Sequence, residues 1–148
     1  MLNKGKKMFR YKYIGCFLDP FELWEKTDSF RIWRLERTVE KPHVTFVYRP
    51  DKVNETLFGA RLDVLITGYA CDGKNEGVQV SVKSNVEELS DLIRAISLPH
   101  ITLSLAADAE AVNTRYLKYT PVTPISLQGI FGAVTEDSEV ILSAPLSQ

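Results

Sequence analysis

Residues 42–46 read Pro42-His43-Val44-Thr45-Phe46, and residues 99–103 read Pro99-His100-Ile101-Thr102-Leu103. The two stretches share one pattern: proline, histidine, aliphatic, threonine, apolar. Between them they hold both histidines of the 148-residue chain. Polar and apolar residues alternate after each proline, the period-2 mark of a half-buried strand. Strands are predicted over His43–Tyr48 and His100–Leu105. Residues two apart share a face of a strand, so His43 stands beside Thr45 and His100 beside Thr102. Val44, Phe46, Ile101 and Leu103 turn to the other layer.

Working outward, the surroundings of the two stretches match. Residues 11–18 (YKYIGCFL) alternate Tyr11, Tyr13, Gly15 and Phe17 with Lys12, Ile14, Cys16 and Leu18, which reads as a strand with a polar end. Asp19-Pro20-Phe21-Glu22 then offers an N-cap, a proline at the first helical position and a carboxylate at the third. In the second half, residues 77–82 (GVQVSV) alternate as a strand. Ser84 and Glu87 form a capping-box pattern before Val86, Leu89, Leu92, Ile93 and Ile96 at helical spacing. A further strand follows each motif, at 64–69 and at 125–130. Residues 30–40 mix both periodicities and carry no assignment.

The order strand, helix, strand, strand thus occurs twice, over about residues 11–72 and 77–142. A half of about 70 residues cannot readily bury its own core, so two halves should pack around a pseudo-two-fold axis. The motif strands would then be central, with both histidines facing one water-filled cleft between antiparallel sheets. The fold class is α+β in a single domain. The alternative is an ordinary α+β sandwich in which similar strands recur.

A hydrophobic content of 45% suits one core, and 18 basic against 19 acidic side chains leave no broad field to capture long nucleic acid. Lys4, Lys6, Lys7, Arg10 and Lys12 crowd the start, and residues 1–10 read as a flexible basic tail in preference to a phosphate-steering arm. Cys16 and Cys71 show no paired spacing, which fits a reduced, cytoplasmic protein. The apolar stretch 13–18 is too short for a signal peptide or membrane span. No obligate protein partner is evident.

Two imidazoles suit phosphodiester chemistry. A histidine's ordinary pKa of about 6.5 leaves both protonation forms accessible, so one ring can take a proton from the attacking oxygen while the other gives one to the leaving oxygen. Threonine hydroxyls can donate to the non-bridging oxygens as charge gathers there. No metal and no cofactor is demanded, and a metal site built from Cys16, Cys71, His43 and His100 lacks ligand-like spacing.

Taken together, the paired motifs and the repeated element order over residues 11–142 resemble the 2H phosphoesterase superfamily. Its members carry two H-x-T/S motifs on the inner strands of a bilobal α+β fold. The resemblance implies catalytic and phosphate-binding roles for His43, Thr45, His100 and Thr102. It implies a substrate that is a nucleotide or RNA phosphodiester: a 2′,3′-cyclic phosphate or a 2′-5′ or 3′-5′ linked oligonucleotide. A phage-type nuclease acting on cyclic oligonucleotide messengers is one alternative, and a non-catalytic nucleotide or RNA-end binding module is another. The interval between the motifs is shorter than in many members.

Aromatic side chains near such a cleft could stack on a base. Tyr11, Tyr13, Tyr48 and Phe131 are the substrate-binding candidates, with Trp24, Trp33 and Tyr69 also considered. Core packing is the more ordinary role for any one of them.

Overall fold

The computed structural model describes residues 10–32 and 34–145. Trp33 and the tail expected over residues 1–10, apart from Arg10, lie outside the described residues. Arg10 itself is exposed and sits 3.1 Å from the Glu55 carboxylate.

The chain runs β1 (Tyr11–Phe17), α1 (Pro20–Thr27), β2 (Arg37–Thr38), β3 (His43–Tyr48), β4 (Arg61–Cys71), β5 (Asn75–Lys83), α2 (Glu87–Arg94), β6 (His100–Leu105), β7 (Thr120–Thr135) and β8 (Val140–Ile141). Short 3-10 turns cover Glu55–Leu57 and Ala111–Tyr116. The class is α+β, with one antiparallel sheet of eight strands among the described residues. Both motif strands have the bounds their alternation predicts.

Helix α1 starts as its sequence dictates: Pro20 opens it, and the Asp19 carboxylate accepts a 3.0 Å hydrogen bond from the Phe21 N–H. Its one buried apolar residue, Leu23, anchors it to the core. Helix α2 departs from expectation. Its N-cap is Val86, so Ser84 lies two residues too early to cap it, and no capping box forms. The Ser84 hydroxyl instead accepts from the Val86 N–H at 2.9 Å, a local serine turn that leads the chain into the helix. Packing of the fully buried Leu89 holds α2 in place.

Strand order is β2-β6-β5-β4-β7-β1-β3, with β8 on β7. The motif strands are therefore not central: β3 ends the path, and β6 has only the two-residue β2 beyond it. The reason lies in the long strands β4 and β7, which pair with each other and take up the middle. β1 is then flanked by β7 and β3, and β5 by β4 and β6. Residues of β3 and β6 nevertheless come within 8 Å, Cα to Cα, without pairing. The sheet curls until its two motif strands lie side by side.

The registers of the two motif strands agree in detail. Gly15 stands opposite Thr45 and Phe17 opposite His43 in β1–β3, with an irregularity between Ile14 and Gly15. Gly77 stands opposite Thr102 and Gln79 opposite His100 in β5–β6, with an irregularity between Glu76 and Gly77. Val44 and Ile101, 1% and 0% exposed, are buried as the alternation requires. Their neighbours Phe46 and Leu103 join one apolar core with residues of every long strand and both helices. No helix among the described residues is long and apolar enough to cross a membrane.

Candidate active site

The two histidines are held in the same way. His43 Nδ1 lies 2.9 Å from the carbonyl oxygen of Lys41, and His100 Nδ1 lies 2.8 Å from that of Leu98, in each case the residue before the motif proline. A carbonyl can only accept, so each Nδ1 carries a proton and donates it; this assigns the tautomer from the network. Nε2 is then the nitrogen left to exchange protons. Among the described residues neither Nε2 has a hydrogen-bond partner, and no buried side-chain nitrogen or oxygen lacks one. Both Nε2 atoms therefore reach solvent.

His43 is the more enclosed ring. It stacks on Tyr13, with centroids 4.5 Å apart and planes 23° from parallel, and leans on Phe17 at 5.5 Å. Burial lowers its pKa from the ordinary 6.5, the Lys41 carbonyl opposes this, and charge on His100 lowers it further. Burial also lowers the pKa of His100; the Leu98 carbonyl opposes it and the Arg115 guanidinium adds to it. The two rings thus lie within electrostatic reach of each other.

Thr45 is exposed opposite Gly15. Thr102 is half-buried, and its hydroxyl shares a 2.9 Å hydrogen bond with that of Thr114. Tyr13 belongs to the site through its stack on His43, and burial pushes its hydroxyl up to about 12. Tyr48 lies 62% exposed at the far end of β3, its ring 5.4 Å from the Arg49 guanidinium.

Tyr11 and Phe131, expected to bind substrate, are core residues. Tyr11 is 7% exposed, meets Phe58 edge-on at 5.6 Å and donates its hydroxyl proton to Glu55. Burial, with the Glu55 carboxylate, raises that hydroxyl to about 12. The cause is a register irregularity between Tyr11 and Tyr13, which breaks the alternation and turns Tyr11 into the core with Ile14 and Cys16. Phe131 pairs with Cys16 and is wedged between Phe46 and Phe58 at 5.9 and 5.5 Å. Trp24 packs on the core beneath Arg31, and Tyr69 is buried with its hydroxyl on Glu76.

Sequence reading passed over Gly15, Gly77, Asn75, Thr114 and Arg115. The glycines carried a signal: each sits inside the strand that precedes a motif, and glycine in a strand often marks close backbone approach. A Cβ on Gly15 would meet the Val44 carbonyl oxygen at 2.1 Å, and one on Gly77 the Ile101 carbonyl oxygen at 2.9 Å. Each glycine lets its strand press against the middle residue of H-x-T. Thr114 and Arg115 reach the site from the turn Ala111–Tyr116, which no periodicity announces. Two concavities of about 360 and 340 Å³ lie elsewhere, one lined by Lys26, Asp63 and Lys83, the other by Phe30, Tyr69 and Lys118.

No protein-family model matches the chain, and no curated protein matches it closely enough to count as a relative.

Proposed function

We propose that the chain is a phosphodiesterase of the 2H type, acting on a nucleotide or RNA phosphodiester with His43 and His100 as the acid and base. The observation that carries this reading is the matched pair of histidines, each tied through Nδ1 to the carbonyl two residues back and each presenting a water-accessible Nε2. A core histidine has no need of a free nitrogen, and a binding module has no need of two.

In hydrolysis of a 2′,3′-cyclic phosphate, water attacks phosphorus and one neutral imidazole takes its proton. The bond from phosphorus to one ribose oxygen breaks, and the other, protonated ring delivers a proton to that oxygen. The exposed Thr45 hydroxyl and that of Thr102 stand on the same strand faces, suited to donate to the non-bridging oxygens. The matched pairing of β4 with β5 and of β7 with β1 on either side of the β4–β7 pair, with the paired glycines, supports the two-lobed, pseudo-symmetric fold of that family. Free thiols at Cys16 and Cys71 fit a cytoplasmic setting.

The test is a substrate panel: 2′,3′-cyclic mononucleotides, short 2′-5′ and 3′-5′ oligomers, and cyclic di- and trinucleotides. Turnover of at least one is expected, falling about 10²- to 10⁴-fold in His43→Ala and in His100→Ala with binding much less affected. The double variant should be little worse than the worse single one. Binding without turnover would identify a binding module, and turnover that survives both single variants would overturn the proposal.

A further inference from the structure

The hydroxyl of Thr102 is not free to rotate as that of an exposed strand threonine is. Thr114, whose hydroxyl lies 2.9 Å away, is fully buried and packs so tightly on Gly77 that a Cβ there would stand 2.4 Å from its methyl group. Its main chain is fastened from the other side, where Tyr119 Oη donates to its carbonyl at 2.7 Å.

The direction of the proton follows from counting donors. Asn75 Nδ2 has two protons; one goes to the carbonyl of Glu110 at 2.8 Å, which fixes the orientation of the amide, and the other to Thr114 Oγ1 at 3.0 Å. The Thr114 oxygen therefore accepts from Asn75 and still has a proton of its own to place. The Asn75 Nδ2 that faces it is a donor only and offers it no acceptor. The one acceptor within reach among the described residues is Thr102 Oγ1. Either hydroxyl can donate across this contact, and a buried hydroxyl proton left without an acceptor is costly, so Thr114 donates and Thr102 accepts. The proton of Thr102 is then surplus and is held away from Thr114, toward the open side of the strand face shared with His100.

We propose that Asn75 and Thr114 are positioning residues, a two-member hydrogen-bond chain that aims the Thr102 hydroxyl proton at a phosphate oxygen. The inference rests on the phosphodiesterase reading. It also breaks the equivalence of the two motifs. Position 13, which matches 75 in register, holds a tyrosine that stacks on His43, so this layer orients the histidine in one motif and the threonine in the other. Thr102 is the pre-oriented donor of the pair, and Thr45, exposed, must be ordered by the substrate.

A double-mutant cycle on the best substrate of the panel tests this. Thr114→Val keeps the shape and removes the relay; kcat should fall roughly tenfold with KM little changed, because an oriented donor acts mainly on charge that develops during the reaction. Thr114→Ser, which retains the hydroxyl, should restore most of the loss. In a Thr102→Val background, Thr114→Val should have almost no further effect on kcat. A Thr114→Val loss of equal size with and without Thr102, or no rescue by serine, would reduce Thr114 to a structural residue and overturn the inference alone. A parent protein inert toward the whole panel would overturn it together with the proposed function.

Discussion

A β-carbon on Gly15 would stand 2.1 Å from the carbonyl oxygen of Val44. Backbone meets backbone there, so no side-chain rotation relieves the contact, and Gly15→Ala must push β3 away from β1. Because β3 is an end strand, it can move, and His43 and Thr45 move with it. The expected outcome is a stability loss of about 1–3 kcal/mol by denaturant melt, with a disproportionate fall in turnover. Wild-type kcat in a destabilised Gly15→Ala protein would mean that strand position does not set the histidine geometry.

The pH dependence follows from the lowered pKa of both rings. Catalysis by a pair needs one ring neutral and one protonated, and kcat/KM reports the free enzyme. With His43 and His100 both held below their ordinary 6.5, the singly protonated pair is most populated on the acid side of 6.5. A bell-shaped kcat/KM profile with its maximum below that value is expected; a maximum above it would contradict the burial of the rings.

The same shifts act on stability. The unfolded chain binds more protons than the folded one in the window between the lowered values and 6.5. The rings' contribution is thus fully present above 6.5 and is lost as pH falls through the folded-state values. Thermal melts should show Tm dropping on mild acidification, and dropping less in His43→Gln. Equal acid sensitivity in the two proteins would assign the effect to other groups.

Acid, base and oxyanion donors are all side chains in the proposed reaction. Activity should therefore survive exhaustive chelation. Loss of turnover on treatment with a chelator, restored by a divalent metal, would recast His43 and His100 as ligands.

Glu76 is fully buried, and its carboxylate takes four bonds: Arg31 Nε at 2.8 Å and its terminal nitrogen at 2.5 Å, the Tyr69 hydroxyl at 2.7 Å and the Ser104 hydroxyl at 2.6 Å. Ser104 also accepts from the Leu35 N–H at 2.9 Å, so the cluster ties the segment before β2 to the motif strand β6. Arg31→Met would strand the carboxylate and should cost about 3–5 kcal/mol in a urea melt. A loss under about 1 kcal/mol, the range of exposed pairs, would show the pair open to water.

What the amino-acid order determined by itself is local. The alternation through His43–Tyr48 and His100–Leu105 set the bounds of both motif strands and the face each histidine shares with its threonine, because successive side chains of a strand must point opposite ways. Asp19-Pro20 set the start of α1, since a cap needs only its own next few residues. Tertiary structure decided the rest. Tyr11 has the parity of Tyr13 in the sequence, yet a bulge forced by pairing with β7 turns it into the core. Ser84 and Glu87 spell a capping box, yet α2 begins where Leu89 can be buried. The motif strands were expected at the centre and lie toward the ends of the path, because which strands pair is a choice among long-range partners that period-2 patterning leaves open. The approach of β3 to β6 and the contact of Thr114 with Thr102 arise only when the sheet curls and the turn Ala111–Tyr116 packs back on it.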